Sequence, residues 1–320
     1  MSYQVKKSQT LSKPPAWVTD DQNDHQGFVI TLCGSIDLDL KRFDSQVQVA
    51  KQLIEDKGPP IVLDRCRMIG VAHDIEFNVT SSAAWQIFQS LNSQLVNVDI
   101  AVQPVSQRTK KLLICDMDKT IVDAETLDEV AEAVGIGQQV ATITEQAMRG
   151  EIDFDASLRQ RVGLLKGQPE QAFIDMANAC RLNPGAEQLV QKAGQAGLYT
   201  VLISGGFDTI ARPIARRLGF DEVHSNRLEV DNGILTGGVL APIVDANSKR
   251  ALLLSIAAKM GIDPVECCAI GDGANDIPMI TLAGLGIAYQ GKPATRKATP
   301  YQINQTDLTT ALYFMGLSPR

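Results

Sequence analysis

The sequence predicts an α/β protein with two domains, a small α+β domain followed by a doubly wound parallel sheet that carries a helical insertion. The first observation is the length, because 320 residues correspond to about two domains of ordinary size. The second is a pattern of strands and helices in the order β-α-β-β-α-β over residues 26–106. The third is the alternation of short apolar strands with helices beyond Lys111, which favours a parallel sheet with helices on both faces.

The composition excludes several classes of function. Hydrophobic residues make up 44% and charged residues 21% of the chain, as in an ordinary globular protein. The formal charge is −7, from 30 basic and 37 acidic residues, and no basic tract is present, so no nucleic-acid partner is expected. No apolar run approaches the ~20 residues that span a membrane, so no membrane partner is expected. Residues 1–15 are polar, unlike a secretory signal, so a cytoplasmic location is expected.

The cysteines and histidines do not indicate a zinc site. The 6 cysteines include no CxxC pair, and the 3 histidines share no ligand spacing with them. The cysteines are expected to be buried and unpaired in a reducing compartment. Adjacent Cys267 and Cys268 would point to opposite faces of a strand.

The first domain is predicted over residues 26–106, after a polar stretch at 1–25 that is expected to be a mobile lead-in. Apolar residues at helical spacing predict a helix over 40–55, and a capping serine, Ser81 or Ser82, predicts a second helix over 81–95. Apolar and β-branched runs predict strands at 28–32, 61–63, 68–79 and 96–102. This order matches the ferredoxin-like split βαβ motif.

The second domain is predicted over residues 107–320, after a polar and basic boundary at 107–111. Strands are expected at 112–115, 198–203, 267–270 and 285–288, and helices, 207–218 and 249–260 among them, fill the segments between them. Residues 127–182 show no strand pattern. A helical cap is therefore expected over about 125–183.

Four clusters of polar residues follow or adjoin predicted strands of this domain, where ligands of open α/β sheets bind. The first is Asp116-Met117-Asp118-Lys119-Thr120, in which two carboxylates leave one strand end together. One carboxylate can act as a nucleophile while the other transfers protons. Their mutual repulsion favours a cation between them or a shared proton. A helix-capping aspartate beside a surface aspartate is the structural alternative.

The second and third clusters could bind a phosphoryl group. Ser204-Gly205-Gly206 offers a hydroxyl and backbone N–H groups to an anion. Lys249 offers a point charge to a phosphoryl oxygen. Taken singly, these features also fit a plain turn between strand and helix and a solvated surface lysine.

The fourth cluster is Gly271-Asp272-Gly273-Ala274-Asn275-Asp276. Its oxygen ligands on a glycine-rich turn suit Mg²⁺, and the spacing of an EF-hand is absent. A capped turn is the alternative for this cluster alone. Together the four clusters provide a nucleophile, a phosphate site and a magnesium site on one sheet. Neither a GxxxxGK[ST] loop nor a GxGxxG motif after a strand is present, which disfavours those nucleotide-binding functions.

These residues resemble the haloacid-dehalogenase superfamily of phosphohydrolases, and residues 111–310 are similar to its phosphoserine phosphatase family. The resemblance extends beyond the superfamily motifs to a cap-like segment. That segment comprises Glu145-Gln146-Ala147-Met148-Arg149-Gly150 with Phe154, Ser157-Leu158 and Arg161-Val162. The resemblance implies a Mg²⁺-dependent hydrolase with O-phospho-L-serine as its small-molecule substrate, acting in the last step of serine synthesis.

The resemblance also implies a role for each matching residue at the reacting centre. Asp116 would be the nucleophile that forms an aspartyl-phosphate. Asp118 would protonate the leaving serine oxygen and then activate the water that hydrolyses the intermediate. Mg²⁺ would bind Asp116, the backbone carbonyl of Asp118, and Asp272.

Further residues would hold the phosphoryl group and the metal. Ser204 and the N–H of Gly205 would bind phosphoryl oxygens, and Lys249 would neutralise developing charge. Asn275 and Asp276 would support the phosphate and the metal. This set agrees with the chemistry, because phosphoryl transfer depends mostly on positioning and charge neutralisation.

In the cap, the resemblance implies residues that recognise the amino-acid end of the substrate. Glu125 would bind its ammonium group and Arg161 its carboxylate, since guanidinium geometry matches a carboxylate. Met148 and Phe154 would close over the substrate and exclude water.

Two features leave alternatives open. Lys119 departs from the family pattern, and its side chain would either lie beside the site or point outward. The first domain is similar in its order of elements to ACT-type domains, which implies amino-acid binding or a homodimer.

Two competing hypotheses remain for the function of the whole chain. One is a phosphatase of the same superfamily that acts on another small phosphomonoester, and the other is a non-catalytic amino-acid sensor.

Overall fold

The computed structural model describes residues 14–19, 21, 24–35, 38–57, 61–68, 71–149 and 151–318. These residues form two β-sheets, one of four strands and one of seven. The strands of the smaller sheet lie between residues 26 and 104, and those of the larger sheet lie between residues 112 and 303. The predicted α/β fold class is confirmed.

The smaller sheet is antiparallel. Its strands are β1 (Gln26–Gly34), β2 (Ile61–Met68), β3 (Val71–Val79) and β4 (Val98–Pro104). They pair in the order β2-β3-β1-β4. Helices α1 (Leu40–Glu55) and α2 (Ser81–Gln94) pack on one face over a core that includes Phe28, Phe77 and Phe88. This is the predicted β-α-β-β-α-β arrangement, whereas the ACT-type likeness and the homodimer stay predictions.

The second face of this sheet packs against the carboxyl-terminal part of the chain. Cys33, Ala72 and Ala101 belong to the same buried cluster as residues of the larger domain. Arg108, which is 9% exposed, donates hydrogen bonds to Asp74 (2.8 Å) and to the carbonyl of Tyr313 (2.9 Å). The smaller sheet is therefore covered on both faces.

The larger sheet is parallel except at one edge. Its strands are β5 (Leu112–Cys115), β6 (Tyr199–Phe207), β7 (Glu222–Asp231), β8 (Ile234–Leu240), β9 (Cys267–Gly271), β10 (Leu285–Tyr289) and β11 (Tyr301–Ile303). They lie in the order β11-β10-β9-β5-β6-β7-β8, and only β8 runs antiparallel to its neighbour. Cys267 and Cys268 lie in different buried clusters, as the alternation of strand side chains predicts.

Among the described residues, five α-helices lie between β5 and β6, and the first four form the helical insertion. These four are α3 (Thr126–Ala133), α4 (Gly137–Met148), α5 (Phe154–Gly163) and α6 (Gln171–Ala179). The remaining helices of the described chain are α7 (Ala186–Gln195), α8 (Asp208–Leu218), α9 (Ala246–Met260), α10 (Ile277–Ile280), α11 (Pro293–Ala298) and α12 (Thr310–Phe314). None of the helices in the described ranges combines the length and the apolar character needed to cross a bilayer.

The structure corrects the sequence interpretation in several places. Helix α2 is capped by Thr80, whose hydroxyl accepts from the N–H of Ala83, rather than by Ser81 or Ser82. The β7–β8 hairpin was not predicted, although Asn232 and Gly233 both have positive φ at its turn, the signature of a tight hairpin.

Part of the stretch interpreted as a mobile lead-in is packed. Residues 1–13 lie outside the described residues, but Trp17 is 7% exposed and contacts the ring of Phe28. Its indole N–H donates to the hydroxyl of Tyr301 over 2.9 Å. A large aromatic side chain with a partner for its N–H is stable in such a position, and composition alone did not reveal it.

Candidate active site

The carboxyl ends of β9, β5 and β6 are neighbours in the larger sheet, and a cavity of about 540 Å³ lies at this edge. Helices α3, α4 and α5 of the insertion contribute the opposite wall. The residues of the sequence prediction that line the cavity are Asp116, Asp118, Glu125, Phe154, Arg161, Gly205, Asp272 and Asn275. Ser204 and Lys249 are buried and contact Asp118 and Asp116. The predicted clusters therefore meet in one place.

Lys249 forms a buried ion network with two aspartates. Its ammonium group contacts Asp116 and lies 2.7 Å from Oδ1 of Asp276. The lysine side chain is 1% exposed, and the aspartates are 4% and 0% exposed. Burial favours the neutral amine, but the two carboxylates outweigh it and raise the pKa of Lys249. A protonated lysine is therefore fixed beside the carboxylate of Asp116.

The position of Lys249 follows from the start of α9. Asp245 caps this helix, since its carboxylate accepts from the N–H and the hydroxyl of Ser248, each over 2.7 Å. The helix begins three residues before Lys249, so the lysine lies within the first turn and not at its opening residue. From there its side chain reaches the end of β5.

Asp118 lies two residues after Asp116 but has a different environment. Its Oδ1 accepts from the N–H of Thr126 over 2.8 Å, and its Oδ2 accepts from the hydroxyl of Ser204 over 3.2 Å. Burial outweighs these hydrogen bonds and raises the pKa of Asp118. A carboxyl group with a raised pKa can donate a proton and later take one back, which suits a general acid and base.

The Ser204-Gly205-Gly206 segment lies inside β6 rather than in a turn after it, at an irregularity in the pairing with β7. The carbonyl of Gly205 accepts from Asn226 over 2.7 Å, which fixes the segment from the far side. A Cβ at Gly206 would lie 3.0 Å from both the Asp118 carboxylate and the Ser204 hydroxyl. Glycine therefore lets the backbone approach the carboxylate closely.

Three buried carboxylates could hold a metal ion. Oxygen atoms of Asp116, Asp272 and Asp276 lie within 4.8 Å of one another. Burial raises the pKa of Asp272 to about 6, and a divalent cation would oppose this rise because opposite charge favours the ionised carboxylate. A set of carboxylate oxygens fits a hard cation such as Mg²⁺. The donor chemistry therefore fits a divalent metal.

This triad contains two of the metal ligands implied by the resemblance, Asp116 and Asp272. The third implied ligand, the backbone carbonyl of Asp118, stays a prediction, while the carboxylate of Asp118 accepts from Thr126 and Ser204. Asp276 is already engaged, because Oδ1 binds Lys249 and Oδ2 accepts from the N–H of Gly273 over 3.0 Å. It therefore fixes the ammonium group of Lys249 and the turn at Gly273, whereas its expected support of the phosphate and the metal stays a prediction.

The insertion brings two charged residues and an aromatic ring to the cavity. Glu125 stands immediately before α3, and Arg161 lies in α5 with its Nη1 3.9 Å from Asp128. The ring of Phe154 lies 3.5 Å from the position that a Cβ of Gly205 would occupy, so it packs over the β6 segment. The side chain of Met148 is outside the described residues, and its expected role stays a prediction.

Two charged lining residues were missed in the sequence. Asp128 follows Glu125 by three residues on one helix face, a spacing that could have revealed it. Lys292 follows β10, and its ammonium group lies 3.1 Å from Glu125 and 3.4 Å from Asp272. The open question about Lys119 is answered, since its ammonium group pairs with exposed Asp123 over 3.2 Å and does not line the cavity.

Comparison with known proteins places this geometry in a family. The model of the haloacid dehalogenase-like hydrolases matches residues 113–281. Phosphoserine phosphatase SerB2 of Mycobacterium tuberculosis is 42% identical over 224 residues, 69% of this chain and 55% of that protein. Phosphoserine phosphatase of Streptococcus thermophilus is 44% identical over 199 residues, 62% of this chain and 93% of that protein. The match therefore spans only about half of the length of the mycobacterial relative.

Solved structures that are similar to this chain also include haloacid dehalogenase family hydrolases. A haloacid dehalogenase family hydrolase of Salmonella enterica serovar Typhi is 28% identical, has a TM-score of 0.79, and covers 90% of this chain and 98% of its own. The structure of a phospho-aspartyl intermediate analogue of phosphoserine phosphatase is 38% identical in sequence, has a TM-score of 0.60, and covers 64% of this chain and 99% of its own. The chain therefore belongs to the haloacid dehalogenase-like hydrolase family.

Proposed function

We propose that this protein is a Mg²⁺-dependent phosphoserine phosphatase, which hydrolyses O-phospho-L-serine to L-serine and phosphate. The observation that carries the proposal is one cavity with an Asp116–Lys249 ion pair on the sheet side and with Glu125 and Arg161 on the cap side. The first side fits a phosphate, and the second side fits an amino acid. Relatives of 42% and 44% identity that bear this name support it.

Asp116 and Asp118 have different roles in the reaction. A carboxylate oxygen of Asp116 attacks phosphorus, the bond from phosphorus to the serine oxygen breaks, and an aspartyl-phosphate forms. Asp118 gives its proton to the leaving serine oxygen, for which its raised pKa suits it. The same carboxylate then takes a proton from water as the water attacks phosphorus, which releases phosphate and restores Asp116.

Fixed positive charge and fixed N–H groups stabilise the transferring phosphoryl group. Lys249 is locked between Asp116 and Asp276, so no reorganisation is needed as negative charge develops. The hydroxyl of Ser204 and the N–H of Gly205 are the expected donors from β6. Asp116, Asp272 and the backbone carbonyl of Asp118 would hold Mg²⁺, which when bound supplies positive charge to the phosphoryl oxygens.

The cap residues would select the substrate. Arg161 is 15% exposed at its side chain and can pair with a carboxylate through two parallel hydrogen bonds. Glu125 and Asp128 would attract the ammonium group of the substrate. Phe154 and Met148 would exclude water when substrate is bound.

The deciding experiment is phosphate release from O-phospho-L-serine, with and without Mg²⁺, beside a panel of sugar and nucleotide phosphates. We expect Mg²⁺-dependent release with a clear preference for phosphoserine, abolished by EDTA and restored by added Mg²⁺. Activity confined to another phosphate would retain the chemistry of Asp116 but remove Glu125 and Arg161 from substrate recognition. No activity on any of these compounds would favour the amino-acid sensor.

A further inference from the structure

Ser157 is a buried residue of the cavity whose hydroxyl has no role in the fold. It is 1% exposed and lines the cavity from α5. Its backbone N–H makes the ordinary helical bond to the carbonyl of Asp153 over 3.0 Å. Its Oγ has no hydrogen-bond partner among the residues that the structure describes. Buried hydroxyls are nearly always paired, so such a group calls for an explanation.

Two hydroxyls of the neighbouring cap helix α4 show the usual pairing. Thr142 and Thr144 of α4 donate to carbonyls four residues earlier, over 3.0 and 3.1 Å. Thr144 lines the same cavity, so facing the cavity does not by itself leave a hydroxyl unpaired. Ser157 differs from these threonines in that its oxygen is free to meet a ligand.

The ligand chemistry follows from the residue one turn further along α5. Arg161 lies four residues after Ser157, and side chains at this spacing share a helix face. The guanidinium Nε donates to the backbone carbonyl of Ser157 over 3.4 Å, so the arginine side chain is anchored to the helical turn that carries the serine. A hydroxyl next to a guanidinium forms a pair of donors, which fits an anionic oxygen and in particular a carboxylate.

We propose that the hydroxyl of Ser157 donates a hydrogen bond to the carboxylate of the substrate that Arg161 binds, and so helps to select phosphorylated amino acids. This inference rests on the proposed function and adds a specificity-determining residue to it. Without substrate the hydroxyl has no hydrogen-bond partner among the described residues. Substrate binding gives it a charged partner.

The test compares Ser157→Ala with the wild-type enzyme on O-phospho-L-serine and on O-phosphoethanolamine, which lacks only the carboxylate. A hydrogen bond to a charged group predicts a loss in kcat/KM for phosphoserine of about 10-fold to 100-fold. The value for phosphoethanolamine should change less than about twofold, because no carboxylate is present to lose a partner. Ser90→Ala is the control, since Ser90 lies in α2 and donates to the carbonyl of Gln86.

Thermal unfolding without substrate gives a second, independent readout. Removing an unpaired buried hydroxyl should leave the Tm of Ser157→Ala equal to or above that of the wild-type protein. Equal losses on both substrates, or a lower Tm without selective loss on phosphoserine, would overturn the role of Ser157 alone. A wild-type protein that hydrolyses no phosphoserine would overturn the proposed function, and this inference with it.

Discussion

Burial gives Lys249 a chemical role that a lysine on the surface would not have. In the sequence it is one of 30 basic residues, but in the fold it is 1% exposed between two carboxylates. Buried charges are stable only when they are paired and hydrogen-bonded. The ammonium group is therefore held in one place, where it can neutralise charge on a phosphoryl group next to Asp116.

We expect Asp116→Asn to abolish turnover while the protein stays folded. The amide is similar in size but is not a nucleophile, so phosphate release should fall by more than about a thousandfold. Phosphate release with Mg²⁺, together with thermal unfolding, measures both effects. Asp155→Asn on the exposed side of α5 is the control. Retained activity with an unchanged Mg²⁺ requirement would contradict the nucleophile assignment.

We expect Arg161→Ala to impair phosphoserine hydrolysis far more than hydrolysis of a phenyl phosphate. Loss of a charged hydrogen bond to the carboxylate should lower kcat/KM for phosphoserine by about 10-fold to 100-fold. The phenyl ester has no carboxylate and should lose little. Arg159→Ala is the matched control, because Arg159 lies on the same helix, is half-exposed, and pairs with Asp155 over 2.9 Å. Equal losses on the two substrates would remove Arg161 from recognition.

At the scale of elements, α5 carries four cavity residues, three of which would act on the substrate. Phe154, Ser157 and Arg161 are spaced by three and four residues, which aligns them along the helix. The helix begins at Asp153, whose carboxylate accepts from the N–H of Ala156 over 2.7 Å. The start of the helix therefore determines where all three side chains lie relative to β6.

We expect Asp153→Ala to weaken both stability and substrate binding. Loss of an N-cap costs about 1 kcal/mol in the free energy of unfolding, and a frayed first turn displaces Phe154, so KM for phosphoserine should rise. Urea unfolding and steady-state kinetics measure the two effects. Asp153→Asn is the control, since asparagine caps a helix as well as aspartate. A similar loss in both variants would show that charge, rather than capping, is what matters.

At the scale of the whole molecule, a buried polar network joins the two sheets. Arg108 binds Asp74, and the side chains are 10% and 5% exposed. Asp99 of β4 accepts from the backbone N–H groups of residues 304–306, beside β11. These contacts lie on the face of the smaller sheet away from its helices, so the first domain is fixed to the second by buried hydrogen bonds as well as by apolar packing.

We expect Arg108→Met to destabilise the whole protein by about 3 kcal/mol, because the buried carboxylate of Asp74 loses its cationic partner. The double variant Arg108→Met/Asp74→Val should recover much of this loss, since apolar residues can replace a buried ion pair. Urea unfolding can be followed by the fluorescence of Trp17 and Trp85 in the first domain and by activity in the second. Coincident transitions in the wild-type protein are expected, and a double variant as unstable as the single one would contradict the argument.

The sequence alone determined the elements and the chemistry of the candidate site. The spacing of apolar residues predicted α1 with its observed limits, Leu40–Glu55. The residues after β5 and β9 were identified because ligands of open α/β sheets bind beyond the carboxyl ends of the strands, and because several such clusters occur together. The Asn232-Gly233 pair is also a sequence signal for a tight hairpin turn. The β7–β8 hairpin was therefore predictable from the sequence, although it was not predicted.

The tertiary structure determined which residues of the candidate site come into contact. Strand order places β9, β5 and β6 side by side, and so brings Lys249 to Asp116 although the two are 133 residues apart. It also brings Lys292 to Glu125, 167 residues apart, and leaves the buried hydroxyl of Ser157 without a partner among the described residues. The spacing of residues in the sequence relates only side chains that are one or two helical turns apart. Contacts and burial depend instead on how elements that are distant in the sequence pack together. The sequence therefore determined the residues of the site, and packing determined their partners.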